Sequence, residues 1–316
     1  MRTIPLRSLI SVAVLGLCYP VLSLALPVDS VSKVAESPAA VSASPAAGAP
    51  AAKAPDVTAP ALALQEILDR NARARGGLAA WQKVQGLAYS GKMDAGRKRP
   101  LPDNSFADPN ASPKDRRRER ITREREIDAA PVIQLPFSLE LARGRKSRLE
   151  VTVKDKTAVQ VYDGSVGWKL RPYLGGDRKA EPYTPEELKL AGDQADIDGW
   201  LLGAKSKGYK VEDEGVDGVA GKAAYKLKVS LPGGDVRHVW VDAQSFLEVK
   251  VEGARKFNGK IKPMYTVLKD YRSVDGVQVP FLMETSMEGV RDTERIIIEK
   301  ATVNPPLPAG RFSKPL

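Results

Sequence analysis

The sequence predicts a mainly β protein with a few α-helices, built on one broad antiparallel sheet. Three observations carry that prediction. Residues 149–168 read LEVTVKDKTAVQVYDGSVGW, two alternating strand patterns with an Asp163-Gly164 turn. In Tyr225-Lys226-Leu227-Lys228-Val229-Ser230-Leu231 the odd positions are apolar and the even ones polar, which buries one strand face and wets the other. The same grammar recurs to the C-terminus, without a catalytic box.

Taken in chain order, Arg2 and Arg7 precede the apolar run 9–17, and Ser23-Leu24-Ala25 supplies the small residues of a cleavage site, so residues 1–25 read as a secretory signal peptide. No later stretch approaches the roughly 20 apolar residues of a membrane span. Cys18, the only cysteine, lies inside the signal, and the mature chain is expected to lack thiols and disulfides. Leu15-Gly16-Leu17-Cys18 half resembles a lipobox, but Leu17 is too bulky for the position before an acylated cysteine, so anchoring there is not expected. Residues 26–60 are rich in Ala, Pro and Ser without apolar periodicity and read as a disordered linker. The folded domain is then 61–316, with a basic insertion at about 94–130.

Within that domain, Leu62, Leu64, Ile67 and Leu68 recur at helical spacing over 61–74, and Gly76-Gly77 stops them. Leu78, Trp81 and Val84 mark a second short helix, and 87–93 reads as the first strand. Residues 94–113 form a Pro/Asp/Asn-rich loop, and 116–127 is either an exposed edge strand or a solvated helix. Strands follow at 137–142, 146–154, 158–162 and 167–172. Thr184-Pro185-Glu186-Glu187 is an N-cap with proline at the first helical position, opening a helical hairpin that runs to about Lys205. Further strands are expected at 209–214, 222–231, 236–242, 246–253, 264–271, 279–286 and 295–303.

The net charge of +10 falls to +8 when Arg2 and Arg7 leave with the signal. Ten basic residues face six acidic ones between Arg97 and Glu126, so half of the mature surplus sits in that segment. A secreted basic chain meets anionic envelope surfaces before nucleic acid, which is not an expected partner.

The blocks Lys146-Ser147-Arg148-Leu149-Glu150, Val161-Tyr162-Asp163-Gly164 with Gly167-Trp168, Gln194-Ala195-Asp196-Ile197-Asp198-Gly199, Ala224-Tyr225-Lys226-Leu227-Lys228-Val229, Val241-Asp242-Ala243 and Ile298-Glu299-Lys300, in that order, resemble the bacterial outer-membrane lipoprotein-sorting protein family, within the LolA-like and LolB-like half-barrels. The closing Val303-Asn304-Pro305 to Phe312 with Pro315 is similar to that family's C-terminal signature. The resemblance implies a curved antiparallel sheet, an open half-barrel wrapped around a few helices with an apolar cavity between, in the periplasm. The basic insertion and the greater chain length depart from the family pattern.

A sheet of this kind binds acyl chains through unspecific apolar surface, at about 0.8 kcal/mol per buried CH₂, and needs no catalytic group. Candidate cavity residues are Leu149, Val151, Val153, Trp168, Leu227, Val229, Trp240, Val249, Val251 and Met283, with Leu188, Ile197, Trp200 and Leu201 from the helical hairpin. Each is equally an ordinary core residue, since apolar strand positions are core by default, and Trp168 could simply cap the sheet end. Arg116, Arg117, Arg118, Arg120, Arg123 and Arg125 could clamp phosphate or carboxylate groups of an anionic surface, or form a solvated face neutralised by Glu119, Glu124 and Glu126.

His238, the sole histidine, has no nucleophile motif around it, which leaves an ester hydrolase a distant reading. Asp193, Asp196 and Asp198 lack the spacing and closing glutamate of a calcium loop, and zinc lacks ligands; no metal and no cofactor are expected. The sequence therefore predicts a non-enzymatic periplasmic carrier or binding protein for lipid or lipoprotein acyl chains. The alternative is an envelope sensor or protein-interaction module on the same fold, using the arginine segment on anionic surfaces.

Overall fold

The computed structural model describes residues 58–97, 112–172, 179–257, 260–288, 290 and 293–316. The expected signal peptide with Cys18, the expected linker as far as residue 57, and residues 98–111 of the expected loop lie outside the described residues. In chain order the elements are α1 (Leu64–Ala74), α2 (Leu78–Lys83), β1 (Gly86–Arg97), α3 (Pro113–Ala129), β2 (Val132–Ala142), β3 (Lys146–Val153), β4 (Lys156–Tyr162), β5 (Gly167–Leu170), β6 (Glu181–Pro182) and α4 (Pro185–Gln194). A 3₁₀ turn (Lys205–Lys207) leads into β7 (Lys210–Val219), β8 (Lys222–Ser230), β9 (Val236–Asp242), β10 (Glu248–Phe257), β11 (Lys260–Val274), β12 (Val277–Met287) and β13 (Glu294–Val303).

All thirteen strands join one antiparallel sheet in the order β6-β5-β4-β3-β2-β1-β13-β12-β11-β10-β9-β8-β7. Two meanders, β1 to β6 and β7 to β13, meet where β1 pairs with β13 from Leu87↔Val303 to Met93↔Ile296. The register shifts between Ser90 and Gly91, and only glycine fits there, because a Cβ on Gly91 would stand 2.0 Å from the Ile297 carbonyl oxygen. The sheet is not closed: β6 and β7 are its edges.

Cross-sheet contacts show that the sheet curls. Arg145, in the β2–β3 turn, reaches the Tyr209 hydroxyl at 3.4 Å just before β7, although β3 and β7 would lie roughly 43 Å apart in a flat sheet. Lys189 of α4, which packs on β4 and β5, likewise pairs at 2.8 Å with Asp235 in the β8–β9 turn. The concave face carries one large core: Ile67 and Trp81 from α1 and α2, Ile197, Trp200, Leu201 and Leu202 after α4, and alternate residues of the strands.

The expected helical hairpin is corrected to a single helix. α4 begins with the predicted capping box, where Thr184 Oγ1 accepts from the Glu187 N–H at 3.2 Å and the Glu187 carboxylate accepts from the Thr184 N–H at 2.8 Å. After Gln194 the chain runs in turns, with Gly199 and Gly203 at φ 73° and 63°, a conformation that stops a second helix from forming. The arginine segment left open between strand and helix is helical, as α3. β2 starts at Val132, five residues before the expected 137, and the two-residue edge β6 was not anticipated.

Register gives the sheet two unlike ends. The β2–β3, β9–β10 and β11–β12 turns lie with the start of β1 at one, here called the clasp end; the β3–β4 turn and the β1–β2, β10–β11 and β12–β13 connections lie at the other, the rim end.

Candidate functional site

The concave face is written by strand alternation. Met93, Ile296, Met283 and Leu268 align in one row across β1, β13, β12 and β11, and Leu135 of β2 extends it. Two residues nearer the rim, Thr285 and Thr266 are paired and buried, with their hydroxyl oxygens 2.9 Å apart. Next come the partners Met287 and Met264, the latter buried and the former half-buried. Apart from Met1, every methionine of the chain is therefore on this face of the sheet. Methionine is unbranched and polarisable and adapts to irregular apolar partners.

At the clasp end the helices are tied down by ions. Arg75, 7% exposed, places its guanidinium 3.3 Å from the Glu248 carboxylate and 4.3 Å from the Trp81 ring, and donates to the Asp198 carbonyl at 2.9 Å. Arg143 pairs with the Asp198 carboxylate and donates to the Trp81 and Val84 carbonyls at 2.6 and 2.9 Å. Lys207 pairs with Asp196 at 3.0 Å and donates to the Gly199 carbonyl; burial depresses its ammonium pKa, against the pull of Asp196. Asp196 and Asp198, weighed from sequence as a calcium loop, thus hold cationic side chains. Among the described residues, no cluster of three His, Cys, Asp or Glu is arranged to hold a metal ion.

α4 forms the seam between the two halves of the curl. Its Glu187 carboxylate accepts from the Lys169 ammonium at 2.7 and 2.8 Å as well as from the Thr184 N–H, and its Asp193 faces Arg237 at 3.8 Å. Burial raises the Asp193 carboxyl above its ordinary value, because the opposing arginine only partly offsets the lost hydration.

The sequence-selected cavity residues divide between the two faces. Val151, Leu227, Val229, Val251, Met283, Ile197, Trp200 and Leu201 are in the concave core, and Leu149 packs against it half-buried. Val153 ends β3 half-buried at the rim, and Leu188 joins Tyr162, Tyr183, Ala191 and Ala195 in a small cluster under α4. Trp240 and Val249 lie instead in a convex cluster with Val219, Ala224 and Tyr265, because Trp240 alternates with the core residues Val239 and Val241. There Trp240 donates to Asp217 at 2.9 Å and has the Lys250 ammonium 4.1 Å from its ring. Trp168 pairs with Val161 on the convex side of β5, where Lys314 of the C-terminal segment lies 4.6 Å from its ring. Arg311 of the same segment pairs with Glu140 and with Glu150 at 3.1 Å. Although burial alone would raise it, Arg148 and Arg311 hold the Glu150 carboxyl below the usual carboxylate range.

His238 is also convex, between Glu252 at Nδ1 and Glu214 at 3.3 Å from Nε2. On α3, Arg117, Arg118 and Arg125 are exposed, and the side chains of Arg116, Arg120 and Arg123 fall outside the described set. Sequence reasoning passed over Leu135, Met93, Ile296, Met264 and Met287. The signal for Met287 was available in the period-two spacing of Met283, Thr285 and Met287, whereas the row that joins Leu135, Met93 and Ile296 to Met283 depends on the β1–β13 junction. No helix among the described residues is long and apolar enough to cross a membrane.

Solved structures similar to this chain include a LolA superfamily protein from Nitrosomonas europaea, at 11% identity and TM-score 0.48, covering 80% of this chain and 99% of that one. A DUF1329 family protein from Desulfovibrio piger matches at 11% identity and TM-score 0.46, covering 79% and 97%. A putative outer membrane lipoprotein-sorting protein domain from Vibrio parahaemolyticus matches at 10% identity and TM-score 0.45, covering 78% and 95%. No protein-family model matches the chain. No curated protein matches it.

Proposed function

We propose that the protein is a non-enzymatic periplasmic carrier that holds acyl chains of a lipid or lipoprotein against the concave face of its sheet. The observation that carries this reading is the methionine-rich half of that face, Met93, Met283, Met264 and Met287. Asn71 of α1 donates to the Phe246 carbonyl, Arg75 just after it pairs with Glu248, and Asn304 donates to the Lys83 carbonyl of α2, so these ties of the helical layer to the strand ends lie at the clasp end, away from that half. Apolar contact with adaptable side chains suits a flexible chain of methylenes, which has no polar feature to be read. A photoreactive acyl analogue should crosslink to peptides of β11 and β12, and protein purified from a membrane extract should release acyl chains to mass spectrometry. Crosslinks confined to the convex face around Trp240, or protein that stays empty and shows no shift of Tm with lipid, would overturn the reading and favour a protein-docking module.

A further inference from the structure

The rim end carries a feature that an acyl-binding face does not require. α3 is opened by Ser112, whose Oγ accepts from the Asp115 N–H at 3.2 Å, with Pro113 in its first turn. It has no apolar stripe to bury, and each of its described side chains is exposed. Lys114, Arg118, Ile121 and Arg125 fall at i, i+4, i+7 and i+11 and share a face, while Asp115, Thr122 and Glu126 share a neighbouring one. That cationic face includes an isoleucine that is 38% exposed. Lys154 and Lys156, exposed on either side of the β3–β4 turn, add charge at the same end, as does the half-buried Lys262 near the start of β11. At the clasp end, by contrast, Arg75 and Arg143 are consumed by Glu248 and Asp198.

We propose that the rim end docks on a bilayer containing anionic phospholipid, with α3 lying in the headgroup layer. Guanidinium groups pair bidentately with phosphate, and an apolar side chain among them can enter the acyl boundary, a combination that favours a lipid surface over a soluble acidic partner. The orientation rests on the carrier reading, since docking by this end points the methionine-rich face at the source of acyl chains. The docking itself does not.

Cosedimentation of the full mature chain with vesicles tests it. Binding to mixed phosphatidylcholine–phosphatidylglycerol vesicles should exceed binding to phosphatidylcholine alone by about tenfold, and should fall steeply between about 0.1 M and 0.5 M salt. Arg117→Glu, Arg118→Glu and Arg125→Glu together should remove most of that difference, the three corresponding lysine substitutions should retain much of it, and Lys222→Glu at the clasp end should leave it intact. Circular dichroism confirms that each variant is folded. Equal binding to both vesicles, or a folded triple variant that binds like the parent, would overturn the proposal. Acyl content measured on the same samples separates the two ideas: loss of docking with loading intact confirms docking as a separate property of α3, whereas failure to load with anionic binding retained sinks only the carrier.

Discussion

The two ends of the sheet solve opposite problems with the same kind of residue. At the clasp end, arginines are held by fixed partners: Arg75 is withdrawn from water against Glu248 and Trp81, and the half-buried Arg143 spans Asp198 and two backbone carbonyls. At the rim end, Arg117, Arg118 and Arg125 stand on an exposed helix with no core beneath their described neighbours. A buried guanidinium fixes the helices to one particular place, because an unpaired charge there is costly, whereas an exposed one costs little and stays available to a partner. Paired, buried charge is thus concentrated at one end, and exposed charge at the other.

The sharpest way to break this contrast is to remove the clasp. Arg75→Ala strands the buried Glu248 carboxylate and should destabilise the protein by about 3–5 kcal/mol in equilibrium denaturation, whereas Arg118→Ala on α3 should change stability by less than about 0.5 kcal/mol. Similar losses for both would mean that α3 is tied into the fold. Packing gives the next largest effect. Leu227→Ala, at a position with 0% exposure, should cost about 2–5 kcal/mol, and Met264→Leu on the rim side should stay within about 1.5 kcal/mol while altering acyl crosslinking. If the leucine variant loads and crosslinks like the parent, adaptability of the methionine-rich rim side is not what matters.

Two smaller effects address the seam that holds the curl. Thr184→Ala removes one half of the α4 capping box and should cost about 1 kcal/mol, measured as a shift in denaturation midpoint at unchanged m-value. Asp193 has a folded-state pKa raised above 3.8, so its neutral form is favoured in the fold; its contribution is present below 3.8 and is lost as pH rises through the raised folded value. Asp193→Asn should therefore gain stability relative to the parent as pH climbs across that window, a slope visible in paired melting curves. A flat difference would show that Arg237 fully compensates the charge.

Much of this architecture is legible in the chain. The alternation in 225–231 places Leu227 and Val229 inward and Lys226 and Lys228 outward, and the Thr184-Pro185-Glu186-Glu187 sequence marks the start of α4 to the residue. The helical hairpin failed because the apolar spacing of Ile197, Trp200 and Leu201 imitates a helix, while Gly199 and Gly203 impose positive φ and the aspartates are drawn to cations. Hydrophobicity alone puts Trp240 among the cavity candidates, yet its neighbours Val239 and Val241, which face the concave core, have the opposite parity. For α3 neither period was visible, since a helix stabilised without burial leaves no apolar rhythm to detect.

What the sequence by itself determined was local: which segments alternate, where turns and caps fall, and that charge is concentrated near Arg97 to Glu126. Those properties depend on residues a few positions apart. What only the tertiary structure decided was long-range. The pairing of β1 with β13 aligns methionines nearly two hundred residues apart. The curl brings Arg145 to Tyr209 and Lys189 to Asp235, and the clasp joins Arg75 to Glu248. Such contacts follow from closing a particular sheet over a particular core, and their energies depend on burial that no local pattern records.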